Sequence, residues 1–144
     1  MCNNMFLASN RSLPELAFNE QAPGLHIWPL LPSERNAAEW LTLPYMYSVG
    51  THIGCGCPFV FVPEWDALSD DDLEEFDENR PNFTQLAGYL ASALQQGAHL
   101  ELYNADEDWI SPLTSATLHI ETLLRARFVF DERQFFKATD RHNN

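Results

Sequence analysis

The second half of the chain contains one clear helical pattern, and strand-like runs stand on both sides of it. The pattern predicts a helix that starts near Pro81 or Asn82 and stops at Gly97. The flanking runs, Phe59–Val62 and His99–Tyr103, are typical of buried strands. We therefore expect the helix to pack on a sheet that contains both runs. The apolar residues at helical spacing are Phe83, Leu86, Ala87, Leu90, Ala93 and Leu94.

Short strand-like segments also occupy much of the remaining chain. Strands are predicted at Asn4–Ser9, His26–Trp28 and Tyr45–Val49, and a hairpin is predicted from Phe128–Phe130 and Gln134–Ala138.

Helix caps and one ambiguous segment complete the pattern. Ser33 is suited to cap a helix that runs through Leu41, and Ser69 is suited to cap a second short helix. Residues 117–124 are ambiguous between strand and helix.

Strands that occur both in adjacent pairs and separated by helices favour an α+β fold. We expect one domain over residues 1–144, with a mixed or largely antiparallel sheet of about six strands and two or three helices packed on it.

The charge balance argues against two classes of partner. The chain has 21 acidic and 8 basic side chains, a net charge of −13, and such a surface repels phosphate backbones and anionic lipids. We therefore expect neither nucleic acid nor a membrane as partner, and no run approaches the ~20 apolar residues of a spanning helix. The opening residues lack the basic and apolar regions of an export signal. The expected location is the cytoplasm, where the three cysteines stay as thiols or metal ligands.

Residues 64–80 form a strongly acidic segment, with nine carboxylates between Glu64 and Glu78. Because unpaired buried carboxylates are costly, we expect this segment at the surface, anchored by a few apolar side chains such as Phe76. The segment does not match a calcium-binding EF-hand loop, since Glu75 stands where that loop needs a glycine.

The most unusual residues are three potential metal ligands within six positions. These are His52, Cys55 and Cys57, and they alternate with glycines that permit tight turns. Zinc needs thiolate sulfurs roughly 3.8 Å apart, as ~2.3 Å bonds in a tetrahedron require. A straight strand places positions i and i+2 about 6.6–7 Å apart, so the chain must bend between the two cysteines. With Cys2 as a distant fourth ligand, a Cys₃His zinc site is one interpretation.

Three other interpretations of these residues stay open. In the first, the glycines serve a tight turn, and Cys55 and Cys57 fill small buried sites. In the second, His52 activates one of these thiols as a nucleophile or redox centre. In the third, removal of Met1 exposes Cys2, whose own amine acts as base, as in N-terminal-nucleophile hydrolases. The catalytic residues are left open, and no cofactor other than zinc is predicted.

Four short motifs occur together in the first sixty residues: Met1-Cys2-Asn3, Ala8-Ser9-Asn10, Pro44-Tyr45-Met46-Tyr47, and Gly50-x-His52-x-Gly54-Cys55-Gly56-Cys57. Together they resemble a small family of uncharacterised bacterial proteins. In that family a glycine usually follows the Gly-Cys-Gly-Cys element, ahead of an aromatic residue, whereas this chain has Pro58 before Phe59. The resemblance implies a site at the same cluster. It implies no activity, because none is established for the family.

Motifs of the common enzyme classes are absent from the sequence, which has no Walker loop, G-x-G-x-x-G, G-x-S-x-G or H-E-x-x-H. The isolated His26, His99 and His119 are interpreted as packing or surface residues. The acidic surface and the lack of an acid–base pair favour a small binding or interaction module, with a protein or a small molecule as partner. The competing hypothesis is a cysteine-dependent enzyme.

Overall fold

The computed structural model describes residues 4–21, 23–53, 55–60, 67–105, 112, 114–125, 128–130 and 134–139, with the backbone alone at 35–38 and 60. Its strands are β1 (Asn4–Ser9), β2 (His26–Pro29), β3 (Tyr45–Gly50), β4 (Leu100–Ala105), β5 (Thr114–His119) and β6 (Gln134–Thr139). Its α-helix is α1 (Asp70–Gln95), and 3₁₀ helices cover Pro32–Glu39, Cys57–Val60 and Ile120–Leu124.

The six described strands form one sheet in the order β2-β3-β1-β4-β6-β5. β5 runs parallel to β6, and every other neighbouring pair is antiparallel. All six residues of β4 and five of the six in β1 are buried. Strands covered on both faces need apolar residues on both, which explains the continuous apolar run Met5–Ala8. The predicted α+β fold with a mixed, largely antiparallel sheet of six strands is confirmed.

Alternation along the strands separates two cores, one on each face of the sheet. On the first face, Leu7 and its register partners Tyr47 and Leu102 pack with Leu86 and Leu90 of α1. Burying each such leucine contributes about 1.5–3 kcal/mol to the free energy of folding. Helix α1 is therefore held on the sheet by the helical stripe that the sequence shows.

The opposite face of the sheet carries a smaller core. Phe6 and Tyr103 are fully buried there and pack with Leu41, with ring centroids of the two aromatic residues 6.5 Å apart. The half-buried Leu30 and Leu43 pack against the same cluster. The chain from residue 30 to residue 43 thus covers this face where α1 is absent.

Helix α1 is longer than the sequence pattern predicts, because it begins at Asp70 rather than near Pro81. Ser69 caps it with a complete capping box. The hydroxyl of Ser69 accepts from the amide of Asp72 (3.1 Å), and the Asp72 carboxylate accepts from the amide of Ser69 (3.0 Å). Phe76 is buried, so the buried side of the helix extends upstream of Pro81. The two helices predicted on either side of Pro81 are one.

The prediction of two or three helices is wrong for the described part of the chain, which contains one α-helix. The segment that Ser33 was expected to cap forms the 3₁₀ helix Pro32–Glu39. Short helices are marginal because their nucleation is unfavourable, and 3₁₀ geometry is frequent in such connectors. The ambiguous residues 117–124 are strand through His119 and 3₁₀ helix from Ile120.

Two predicted strands are also corrected. Phe59 and Val60 belong to the 3₁₀ helix Cys57–Val60, and residues 61–62 lie outside the described chain. Pro58 favours this outcome, because its φ near −65° suits a 3₁₀ turn and it has no N–H for a strand ladder. The hairpin of Phe128–Phe130 with Gln134–Ala138 is wrong, since β6 pairs with β4 and β5. Instead, the amide of buried Phe130 donates to the Phe59 carbonyl (2.8 Å).

Helix α1 contains most of the described part of the acidic segment, residues 67–80, and holds its carboxylates outside the core. The carboxylates between Asp70 and Glu78 are exposed or half-buried, and none is buried. Along the described ranges of the chain, no helix combines the length and the apolar character that crossing a bilayer requires.

Candidate functional site

The loop after β3 is closed by Thr51, which is fully buried. Its backbone amide and its hydroxyl both donate to the carbonyl oxygen of Cys55, over 3.1 and 2.6 Å. These two bonds double the chain back within four residues and bring Cys55 beside the end of β3. Cys57 then opens the 3₁₀ helix Cys57–Val60. Both cysteines are half-buried thiols.

His52, in the turn of this loop, is held by Asn82 of α1. The backbone amide of His52 donates to Oδ1 of Asn82 (3.1 Å). Nδ2 of Asn82 then faces Nδ1 of the imidazole at 2.8 Å. Since a backbone amide only donates, the atom that accepts from it is the oxygen, and Nδ2 must donate to Nδ1. His52 is therefore held as the tautomer that carries its proton on Nε2.

This hydrogen bonding bears on the predicted zinc site. With Nδ1 accepting from Asn82 and Nε2 protonated, the His52 ring offers no lone pair to a metal without rearrangement. Among the residues that the structure describes, no group of three or more His, Cys, Asp or Glu side chains is arranged to hold a metal ion. The described structure thus does not arrange His52, Cys55 and Cys57 as a three-ligand metal site, and the zinc site that these residues would form with Cys2 stays a prediction. Cys2, the predicted fourth ligand and predicted N-terminal nucleophile, lies outside the described residues, so both roles stay predictions.

A cavity of about 640 Å³ lies over β2 and β3, on the face of the sheet opposite α1. We call it the β2–β3 pocket. Its volume is within the range of small-molecule sites, ~300–1,000 Å³. The apolar residues that line it include Trp28, Pro29, Leu30 and Leu31, and the lining residues with chemically useful polar groups are His26, Glu34, Ser48 and Cys55.

The imidazole of His26, on β2, lies over Gly50, its register partner on β3. A Cβ added at Gly50 would lie 2.0 Å from both Cε1 and Nε2 of the imidazole, so glycine is required for the ring to lie there. Phe18 contacts the ring edge-on, with centroids 5.3 Å apart. His26 is thus buried, at 8% exposure, and its Nδ1 has no hydrogen-bond partner.

The surroundings of His26 determine its charge. Burial lowers the pKa of the His26 imidazole below its usual value of 6.5, and the nearby backbone of Gly24 opposes this shift without cancelling it. The imidazole is therefore neutral at neutral pH. A neutral ring can accept a proton, and it can either donate or accept a hydrogen bond at Nδ1, depending on its tautomer.

Glu34 is the second buried polar residue of the pocket, also at 8% exposure. Its Oε1 accepts from the amide of Leu31 (3.0 Å) and so caps the start of the 3₁₀ helix Pro32–Glu39. Its Oε2 accepts from the Ser48 hydroxyl over a longer 3.3 Å. A carboxylate has about four acceptor sites, so Glu34 retains the capacity to accept from a bound molecule.

Three of these four polar residues belong to no pattern that marks a site in the sequence. His26 is buried, in keeping with its interpretation as a packing residue, but that interpretation does not predict the cavity beside the ring. Glu34 and Ser48 belong to no motif, and they meet only because the 3₁₀ helix folds over β3. Cys55 alone belongs to both the predicted cluster and the pocket. The one available signal is Gly50 opposite His26, and recognising it requires the β2–β3 register.

Two other cavities are described. One of about 610 Å³ has His99, Glu101 and Lys137 among its lining residues, and the Glu101 carboxylate already accepts from the amides of Thr42 and Leu43. A smaller one of about 390 Å³ adjoins Gln85 and Tyr89 of α1. The Gln85 side chain accepts from the amide of Leu25, and the Tyr89 hydroxyl donates to the carbonyl of Pro14.

Comparison of the chain with models of protein families, with curated proteins and with solved structures yields no match. The resemblance of the first sixty residues to a small bacterial family rests on the four motifs alone and stays a prediction.

Proposed function

We propose that this protein is a binding module that takes a small molecule into the β2–β3 pocket. The observation that carries this proposal is the convergence of four polar residues from separate segments on one cavity with apolar walls. His26 comes from β2, Glu34 from the 3₁₀ helix, Ser48 from β3, and Cys55 from the following loop. An apolar cavity with a few polar groups that orient a ligand is typical of small-molecule sites.

The unpartnered imidazole nitrogen of His26 supports the same proposal. Leaving a buried polar atom without a hydrogen bond costs about 1–3 kcal/mol of folding free energy. Nδ1 has almost no exposed surface, so the imidazole must turn before a ligand can bond to this atom and recover this free energy. Gly50 supports it as well, because the absence of a side chain there gives the imidazole its room.

An NMR titration of ¹⁵N-labelled protein with a fragment library tests the proposal. The expected result is that binders shift the backbone amides of Leu31, Ser48 and Gly50 together. Trp28→Ala should weaken these binders, because Trp28 lines the pocket with 43% of its surface exposed. Tyr45→Ala is the matched control, since Tyr45 is 46% exposed on β3 and is not among the described lining residues. Equal effects of the two substitutions, or shifts that cluster elsewhere, would contradict a ligand site here.

A second candidate function is thiol chemistry at Cys55. One observation favours it: Cys55 lines the same cavity as the neutral imidazole of His26. An imidazole that accepts the thiol proton leaves a thiolate, which is the nucleophilic form of cysteine. His52, the activator that the sequence suggests, is instead engaged with Asn82.

The pH dependence of alkylation by iodoacetamide tests this second candidate. In a Cys2→Ser background, Cys57→Ser leaves Cys55 to react, and Cys55→Ser leaves Cys57 as a half-buried control on the same loop. An active Cys55 should react as a group that titrates well below ~8.5, and His26→Asn should remove this advantage. A Cys55 thiol that reacts no faster than Cys57 at neutral pH excludes the enzyme hypothesis for this residue.

A further inference from the structure

The described residues that line the β2–β3 pocket include one carboxylate, that of Glu34, and no lysine or arginine. We propose that the ligand of this pocket is a small organic cation, with an amine on an apolar body. This inference rests on the proposed binding function and specifies its ligand class. The ammonium group donates to Glu34, and the apolar body lies against Trp28 and Leu31.

The hydrogen bonds of Glu34 define where the cationic group binds. Among the side chains and amides that the structure describes, the donors to its two oxygens are neutral: the Leu31 amide and the Ser48 hydroxyl. A hydrogen bond from an ammonium group to a carboxylate is roughly twice as strong as one between neutral groups. A buried charge is stabilised by pairing with an opposite charge, and this partner is absent from the described lining. A cationic ligand supplies it.

The remaining polar residues do not reverse this preference. His26 is neutral at neutral pH because burial lowers its pKa, so it places no positive charge beside Glu34. An anionic ligand would therefore meet a carboxylate with no compensating cation among the described lining residues. The net charge of the whole chain, −13, attracts cations and repels anions during approach as well.

Trp28 provides the second contact that favours a cation. It lies two positions after His26 on the edge strand β2, so both side chains project from the same face of the sheet. Its indole is 43% exposed and lines the pocket. An aromatic face of this kind binds organic cations through its quadrupole, and tryptophan is the strongest of the aromatic side chains in this contact.

Three probes that share one ring system test the inference: 1-naphthylmethylamine, 1-naphthylmethanol and 1-naphthoate. Each is titrated into the ¹⁵N-labelled full chain at pH 7.5, with 0.15 M salt to screen surface attraction. We expect the amine to bind at least about tenfold more tightly than the alcohol, since charge-assisted hydrogen bonds contribute more than neutral ones, and the carboxylate to bind most weakly. The Leu31 and Ser48 amides should shift with the amine.

Two variants that remove the same charge distinguish binding in the pocket from attraction to the acidic surface. Glu34→Gln should remove the preference for the amine over the alcohol. Glu39→Gln should keep it, because Glu39 is exposed on the same 3₁₀ helix and lies outside the described lining. If Glu34→Gln does not fold, the affinities of the natural chain for the amine and the alcohol still test whether the ligand is a cation. Trp28→Leu should then reduce the preference for the amine over the alcohol.

The outcomes distinguish the ligand class from the binding function itself. Equal affinities for amine and alcohol at the pocket amides would overturn the cation while leaving the pocket as a binding site. Amine-induced shifts confined to residues 70–78 of α1 would show attraction to the acidic surface only and also overturn it. No shift of the pocket amides by any probe at millimolar concentration would overturn both proposals.

Discussion

Asn82 of helix α1 and His52 of the loop after β3 are joined by two hydrogen bonds of opposite sense. Oδ1 of Asn82 accepts from the backbone amide of His52, and Nδ2 donates to the imidazole Nδ1. Asn82 is 2% exposed, so this pair is part of the interior. The helix on one face of the sheet thereby positions the loop whose far end brings Cys55 to the pocket on the other face.

Replacing Asn82 with Asp should reverse the tautomer of His52. A carboxylate only accepts hydrogen bonds, so it must face an Nδ1–H where Asn82 donates to a bare Nδ1. Imidazole ¹⁵N chemical shifts at pH 8 should place the proton on Nε2 in the natural protein and on Nδ1 in Asn82→Asp. Asn82→Ala, which loses both bonds, should cost about 1–3 kcal/mol of stability. A proton on Nδ1 in the natural protein would contradict the assigned hydrogen bonds.

His26 should make the protein less stable as the pH falls below 6.5. Its folded-state pKa lies below the unfolded value of 6.5 because the imidazole is buried. Between these two pKa values the unfolded chain binds more protons, so acidification favours unfolding across this window. Urea denaturation between pH 7.5 and 5.5 measures the loss, which should shrink in His26→Asn. His99→Asn is the control, since His99 is exposed, and an equal change in that variant would contradict a specific role for His26.

The strands predicted most accurately are those whose burial produces a recognisable run of apolar residues in the sequence. The predicted Asn4–Ser9 coincides with β1, because a strand covered on both faces has a continuous apolar run. His26–Trp28 and Tyr45–Val49 are each one residue shorter than β2 and β3. Strand partners are harder to predict, because they depend on contacts between distant residues. The parallel pairing of β5 with β6 replaces the expected hairpin for this reason.

The candidate site is predictable only in part, for a related reason. Cys55 is conspicuous because two cysteines and a histidine occur close together in the sequence. Glu34 and Ser48 are ordinary residues whose contact arises when the chain after β2 folds back over β3. The role of Asn82 is equally hidden, since its position on the helical pattern gives no sign that its amide reaches His52. Sites assembled from separate segments leave no local spacing to recognise.

Pro81→Ala should stabilise the protein, because α1 continues through Pro81. A proline inside a helix has no N–H for the carbonyl four residues earlier, that of Asp77, and its ring crowds that carbonyl. Pro81 is exposed, so the substitution removes little packing and should add up to about 3 kcal/mol. Chemical denaturation measures the gain in stability. Glu78→Ala is the control, because Glu78 is also exposed on α1 and lies about one turn before Pro81. A neutral or destabilising result would indicate two separate helices that meet at Pro81.

Glu101→Gln should be destabilising, because Glu101 is buried at 3% exposure and its charged group anchors the chain that covers its face of the sheet. Its carboxylate accepts from the Thr42 amide (2.8 Å), the Leu43 amide (3.2 Å) and the Thr42 hydroxyl. A glutamine is neutral, so its single oxygen forms weaker hydrogen bonds to the Thr42 and Leu43 amides than the carboxylate does. Its NH₂ group takes the place of the second oxygen, where the Thr42 hydroxyl must turn from donor to acceptor. A hydrogen bond to a charged group contributes about 1.5–3 kcal/mol, and part of this contribution is lost. Urea denaturation measures this loss, and a double-mutant cycle with Thr42→Val isolates the hydroxyl bond, since the two losses should not add.

Because residues 42–43 end the segment that carries Glu34 to the pocket, Glu101→Gln should also weaken binding of the naphthylmethylamine probe in protein that remains folded. Unchanged stability together with unchanged affinity would show that these three hydrogen bonds do not hold the segment in place.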